Sequence, residues 1–118
     1  MDSSDSPRTK LRGGLKIDRE IVGSGKPVSR GDTLTIRLEI RLNQGDLVES
    51  LDEHTFVLGA RHVIAAVEYG AEGMRVGGRR ELKAGPHLCY SDAGVPGKIP
   101  ADAVLRLTIE LLSCEQPA

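Results

Sequence analysis

The chain has 118 residues, which suits one ordinary domain and is too short for two. Its 16 Lys and Arg residues balance 17 Asp and Glu residues, and a net charge of -1 excludes the one-signed field that would attract nucleic acid or an anionic membrane. Aromatic residues make up only 3% of the chain, too few for a platform on which bases could stack, whereas the 39% hydrophobic content suffices for a core.

The termini and the cysteines indicate the compartment. No segment reaches the run of about 18 apolar residues that a membrane span requires, and the N-terminus lacks the apolar stretch of a signal peptide. Cys89 and Cys114 are the only two cysteines, and their spacing fits no CxxC motif. We therefore expect a soluble cytoplasmic protein with reduced thiols, and a single disulfide between the two cysteines is the alternative.

The first third of the chain begins with a polar segment. Residues 1–13 predict a flexible N-terminal tail, which leaves residues 14–118 as a single domain. An interrupted apolar pattern (Leu15, Ile17, Ile21 and Val22) predicts an edge strand. The Gly-Ser-Gly-Lys-Pro segment that follows has no GK[ST] ending and no helix signal behind it, so it predicts a turn and not a phosphate loop.

The clearest periodicity lies in the next segment. From Thr33 to Leu42 apolar and polar residues alternate without exception, which predicts a strand with one face on a core. Residues 43–46 predict a hairpin turn in which Gly45 takes positive φ. Residues 47–50 would form the returning strand, and residues 55–58 a separate short strand after a charged loop.

The second half contains the helix and two more strands. Residues 61–69 predict a helix with Gly70 as its C-cap. Alternation then predicts strands over residues 79–84 and 104–112, joined by a long connection over residues 85–103 that is rich in Gly and Pro. Antiparallel strands with one short helix make the predicted class α+β.

The sequence contains no complete motif for a nucleophilic enzyme or for a metal site. Ser91 and Asp92 have no GxSxG context, and His87 with Cys89 supplies two metal ligands without the remainder of a tetrahedral site. We therefore expect no metal and no cofactor. Glu72 and Glu81 accompany a cluster of basic residues, which predicts a solvated strand face for this group (Arg75, Arg79, Arg80 and Lys83).

A resemblance extends from about Glu20 to Ser113. The matching landmarks, in order, are Arg30-Gly31-Asp32, the alternating strand, Gly45, Val57-Leu58-Gly59, Val63-Ile64, Gly73-Met74, Val76-Gly77, Arg79, Pro86, Tyr90, Gly94, Gly97-Lys98-Ile99-Pro100, Ala103, Leu105 and Glu110-Leu111-Leu112. In this order and spacing the sequence resembles the FKBP family of peptidyl-prolyl cis-trans isomerases. The resemblance implies an antiparallel sheet of about five strands wrapped around one short helix.

The resemblance also implies a reaction that needs no acid, base or nucleophile. Rotation about a peptide bond breaks its resonance against a barrier of about 18–20 kcal/mol. No covalent bond is cleaved, so an apolar pocket and a few hydrogen bonds that favour the twisted state are sufficient. Proline-containing polypeptides would be the substrates.

Site residues follow from the resemblance by position. Tyr90 and the Ile64 backbone N–H would donate hydrogen bonds to substrate carbonyls, Glu49 stands where the family usually has Asp, and Val63, Ile64 and Ile99 would wall the pocket. Aliphatic or histidine side chains stand where the family usually has aromatic residues that bind substrate (Leu38, Val48, His54, Val67 and Leu107).

These departures leave two hypotheses. The first is a monomeric isomerase of modest activity, because the lost aromatic contacts are worth about 0.5–1.5 kcal/mol each. The second is an FKBP-like binding or chaperone module that holds apolar or proline-containing segments without useful catalysis. In both cases we expect macrolide binding to be weak or absent, because in the family it relies on the same aromatic floor.

Overall fold

The computed structural model describes residues 14–89, 99 and 102–116. These residues form five strands and one α-helix, in the order β1 (Leu15–Ile21), β2 (Thr33–Leu42), β3 (Leu47–Val57), α1 (Ala65–Ala71), β4 (Arg79–Ala84) and β5 (Leu105–Glu115). A short 3-10 turn covers Pro86–Leu88. None of the helices in this part of the chain has the length and apolar character needed to cross a membrane.

All five strands belong to one antiparallel sheet with the order β1-β4-β5-β2-β3. The central strands are β4, β5 and β2, and the edges are β1 and β3. The helix packs on one face of the sheet, against β4 and β5. This arrangement confirms the predicted α+β class and the predicted sheet around one short helix.

Alternation along the strands places the core as the sequence predicts. In β2 the inward residues Leu34, Ile36, Leu38 and Ile40 are at most 3% exposed. Leu105, Leu107, Ile109 and Leu111 of β5 are equally buried, although this strand extends to Glu115 and not only to residue 112. Gly45 has a φ of 117°, as the hairpin turn between β2 and β3 requires.

The prediction of two short strands separated by a charged loop is wrong. β3 runs without interruption from Leu47 to Val57, along the edge of the sheet. Its pairing with β2 shifts register near Asp52 and Glu53 and again at Val48. Asp52 and Glu53 remain within the strand. The bulge accommodates them there, and both side chains are exposed to solvent at the edge of the sheet.

The predicted bounds of the helix, residues 61–69, are also wrong. α1 begins at Ala65, whereas residues 61–64 form the loop that leads into it, and Arg61 has a positive φ of 63°. Gly70 lies inside the helix and does not cap it. A Cβ atom at position 70 would lie 2.8 Å from Leu82 Cδ1 and 3.3 Å from Ile109 Cδ1, so glycine is needed for the close approach of the helix to the sheet.

Arg80 contradicts the prediction of a solvated basic face. This side chain is only 1% exposed and points inward from β4. Its Nε donates a hydrogen bond to Glu20 Oε2 at 2.8 Å, and its Nη1 donates to the Gly70 and Glu72 carbonyls at 2.9 and 2.7 Å. Carbonyls at the end of a helix have no intrahelical partner, so Arg80 satisfies two of them and ties α1 to β4 and β1.

Candidate active site

A cavity of about 360 Å³ opens between the start of α1 and strands β2 and β3. Strand pairing explains one wall, because Leu38 lies opposite Leu51 and Ile40 lies opposite Glu49, and directly paired residues share a face of the sheet. The loop before α1 and its first turn form the other wall. The lining residues are Leu38, Ile40, Glu49, Leu51, Arg61, His62, Val63, Ile64 and Val67.

The base of this cavity is aliphatic. Val67 is 1% exposed and Leu38 is 3% exposed, so both present little more than a surface of methyl groups. Such a surface accepts an apolar side chain or ring by burial, without directional contacts. The cavity therefore suits an apolar ligand group, and the described residues at its base offer no aromatic ring to orient it.

Ile64 occupies the N-cap position of α1. Its backbone is extended, with φ at -62° and ψ at 154°, and its carbonyl accepts hydrogen bonds from the Val67 and Glu68 N–H groups at 3.0 and 3.2 Å. Among the described residues the Ile64 N–H has no acceptor. A backbone donor beside an apolar cavity can bind a substrate carbonyl.

Glu68 shapes the loop that leads to the cavity. The side chain is buried, and its Oε2 accepts hydrogen bonds from the Gly59 N–H at 3.1 Å and the Arg61 N–H at 2.9 Å. A carboxylate that accepts two backbone donors holds their segment firmly. Glu68 was not among the predicted site residues. Its spacing from Ile64 and Val67 places it on the inner face of the helix, where a buried carboxylate needs a hydrogen-bond partner.

Charged residues lie at the rim of the cavity. Glu49 contributes a carboxylate from β3, and Arg61 and His62 contribute basic groups from the facing loop. Glu49 is half-buried, and its carboxylate has no hydrogen bond or ion pair to another described residue. The rim can therefore contact polar backbone groups of a bound peptide.

The structure gathers five of the predicted site residues around one cavity: Leu38, Glu49, Val63, Ile64 and Val67. Sequence reasoning missed four others, Ile40, Leu51, Arg61 and His62. For Ile40 and Leu51 the missing information was the pairing register of β2 with β3. For Arg61 and His62 the missing information was where the helix begins. These two residues belong to the loop before α1 and not to its first turn, and the loop brings them to the rim of the cavity.

Four other predicted residues do not line this cavity. Val48 sits at a bulge of β3, and His54 stacks on Phe56 with ring centroids 6.1 Å apart, opposite Ile36. Leu107 is 1% exposed and pairs with Ile40 from the neighbouring strand, so it lies in the core. Ile99 is also buried, at 5% exposure. Tyr90 lies outside the described residues.

A second concavity of about 460 Å³ lies at the β1 side of the sheet. Four of the five side chains that line it are charged (Arg19, Glu20, Arg79 and Glu81, with Ile21). It is larger than the cavity at α1 but offers no apolar base. For that reason the smaller cavity is the better candidate site.

The described residues also include potential metal ligands and two thiols. Among the described residues, no group of three or more His, Cys, Asp and Glu side chains is placed to hold a metal ion. Cys89 and Cys114 are free thiols. Burial raises the pKa of the Cys89 thiol to about 11, and burial together with the nearby Asp32 carboxylate raises the pKa of Cys114.

Cys89 should therefore react slowly at neutral pH. In a Cys114→Ser variant, iodoacetamide should alkylate Cys89 at pH 8 roughly 10- to 100-fold more slowly than an exposed thiol, because only the thiolate reacts. Since the folded-state pKa is raised, the rate should keep rising above pH 9, where an ordinary thiol levels off. Mass spectrometry over a pH series measures the rate, and unfolding in urea should restore ordinary reactivity. A rate equal to that of glutathione would contradict the burial of this thiol.

Comparisons with known proteins point to one family. A family model described as FKBP-type peptidyl-prolyl cis-trans isomerase matches residues 24–112. The chain is 34% identical over 114 residues to FK506-binding protein 4 of Gibberella zeae, and 33% identical over 113 residues to the 39 kDa FK506-binding nuclear protein of Drosophila melanogaster. These alignments cover 94% and 92% of this chain but only 23% and 31% of the relatives. The chain thus spans about a quarter to a third of their length.

Proposed function

The chain belongs to the FKBP-type peptidyl-prolyl cis-trans isomerase family, and from this premise we propose that it accelerates rotation about X-Pro peptide bonds in the cavity at the start of α1. Unaided rotation at X-Pro takes tens to hundreds of seconds. A site that binds the twisted bond more tightly than the planar one accelerates this step without proton transfer or covalent chemistry. The observation that carries the proposal is the Ile64 N–H, which has no acceptor among the described residues, beside an aliphatic cavity.

Each proposed role follows from the chemistry of the group. The Ile64 N–H donates to a substrate carbonyl, and Val63, Val67 and Leu38 surround the proline ring. Tyr90 donates a second hydrogen bond, in keeping with its position in the family resemblance. Glu49 at the rim interacts with the polypeptide beside the proline. Val48, His54, Ile99 and Leu107 support the pocket from the bulge and the core.

The proposed donor can be removed without replacing the rest of the site. The φ of Ile64 is -62°, which proline adopts naturally, so Ile64→Pro deletes the N–H while keeping the local backbone. Ile64→Val keeps the N–H and reduces the side chain, and serves as the matched control. We expect Ile64→Pro to lower isomerase activity about tenfold, the loss of one hydrogen bond, and Ile64→Val to lower it less than threefold.

Exchange spectroscopy measures this directly. Two-dimensional NMR of a Leu-Pro peptide gives the cis–trans exchange rate with and without the protein, and amide shifts of the labelled protein locate the peptide. Accelerated exchange, with shifts around residue 64, supports the proposal. Equal activity of Ile64→Pro and Ile64→Val, with both folded by urea titration, would remove the N–H from the mechanism.

The aliphatic base of the cavity favours a second candidate function, a binding or chaperone module that holds proline-containing segments without useful catalysis. Val67→Trp discriminates between the two. If Val67 limits the catalyst, the larger ring should fill the cavity and raise kcat/KM about three- to tenfold, the value of one aromatic contact. If the folded variant binds the peptide more tightly without faster exchange, the binding module is the better description.

The proposal carries three further predictions. We propose that the protein acts as a monomer in the cytoplasm, on proline-containing segments of polypeptides during folding. Macrolides should bind weakly or not at all, because Val67 and Leu38 offer no aromatic surface at the base of the cavity. Titration with FK506, followed by amide shifts around residues 63–67, measures that affinity.

A further inference from the structure

The outer face of the sheet carries a row of four cations. Lys16 pairs with Lys83, Lys83 with Arg106, and Arg106 with Arg41, so the four lie directly opposite one another across β1, β4, β5 and β2. Their neighbours along each strand face the core, which places these four side chains on the opposite face. We call this set (Lys16, Lys83, Arg106 and Arg41) the cationic row.

The cationic row is poorly neutralised within the protein. Only Arg41 has an ion pair, to Glu39 at 3.4 Å, and among the described residues no carboxylate pairs with the other three side chains. Among the described residues, Arg106 has one side-chain acceptor, the Asn43 amide oxygen at 3.3 Å. Like charges placed directly opposite each other destabilise a sheet. An anion bound along the row would relieve that repulsion.

The dimensions of the row indicate which anion fits. Strands are about 4.8 Å apart, so four of them spread the charges over about 14 Å, the length of four or five residues of extended polypeptide. The row is only one residue wide on β4 and β2. Glu81 and Glu39, two residues before Lys83 and Arg41, share the same outer face of the sheet and carry the opposite charge. Leu47, which is paired with Arg41 and 52% exposed, ends the row with an apolar side chain.

We propose that the cationic row is a docking surface for an extended acidic segment of a partner polypeptide. Two or three alternate carboxylates of such a segment would lie along the four cations, and an apolar side chain beside the acidic run would cover Leu47. Nucleic acid fits this surface less well. The row itself holds no aromatic side chain, and Phe56 is buried in the core, where no base can stack on it. This inference does not depend on the proposed isomerase function.

The test uses a fluorescein-labelled octaglutamate peptide with one terminal leucine and no proline, so that the proline pocket plays no part. Fluorescence anisotropy gives its Kd for the full chain at low and at moderate salt. The double variant Lys83→Gln/Arg106→Gln removes the centre of the row. The double variant Lys26→Gln/Arg30→Gln removes two exposed cations elsewhere and gives the same net charge.

We expect salt-sensitive binding that the row variant weakens about tenfold and the control variant about twofold or less. The thermal midpoint of the row variant should stay level or rise, because like charges are removed, so a loss of binding will not reflect unfolding. Amide shifts should map to β1, β4, β5 and β2 and not to residues 63–67. Absent binding, equal weakening by both double variants, or equal affinity for a thymidine oligonucleotide of the same charge would each overturn the proposal.

Discussion

Replacing Arg80 with methionine is expected to lower the free energy of unfolding by about 3–5 kcal/mol, as measured by urea denaturation. Methionine retains much of the buried aliphatic volume but removes the donors to Glu20, Gly70 and Glu72. The two carbonyls at the end of α1 would then be left without their partner, at about 1–3 kcal/mol each. Glu20 is partly exposed, so its carboxylate can be rehydrated and adds little to the cost.

The neighbouring arginine provides a matched control for this variant. Arg79 is 41% exposed and makes ion pairs with Glu110 at 3.2 Å and Glu81 at 3.5 Å. Exposed pairs contribute about 0–1 kcal/mol, so Arg79→Met should change stability by no more than that. Should Arg80→Met fail to fold, Arg80→Lys keeps the charge with fewer donors and is expected to lie between the two. Equal stability of the Arg79 and Arg80 variants would contradict the buried network.

Replacing Glu68 with alanine is expected to lower both the stability of the protein and the activity of the site, because Glu68 holds the loop at the rim of the cavity. Loss of the hydrogen bonds to the Gly59 and Arg61 N–H groups should reduce stability by about 2–4 kcal/mol. The freed loop should also displace the rim residues Arg61 and His62. We expect the isomerase activity of the folded variant to fall about tenfold, because small displacements at a positioning loop are costly.

Amide hydrogen exchange separates the positioning role from a general loss of stability. Exchange at Gly59 and Arg61 should accelerate far more than exchange at core positions of β2 and β5. Glu68→Gln retains one acceptor oxygen and should recover part of the protection. Glu72 is exposed and lies one helical turn after Glu68, so Glu72→Ala should leave the loop and the activity unaltered. Uniform acceleration across the sheet would show that Glu68 is only a stability residue.

Local patterns in the sequence predicted much of the fold. The alternation of residues 33–42 determines which face of β2 is buried, because successive side chains point to opposite sides of a strand. Gly45 marks the turn by its freedom at positive φ. The order of landmark residues led to the family, and part of the pocket followed, namely Val63, Ile64 and Val67.

Tertiary structure decided the features that depend on residues far apart in the chain. Gly70 signals a helix end by local rules, but its role is contact with Leu82 and Ile109. Arg80 belongs to a charged stretch, yet its carbonyl partners at a helix end bury it. Bulges in β3 set the register that brings Glu49 and Leu51 to the cavity. The cationic row likewise exists only because β1, β4, β5 and β2 meet in one register. Periodicity specifies the face of each residue, whereas register and packing specify its neighbours.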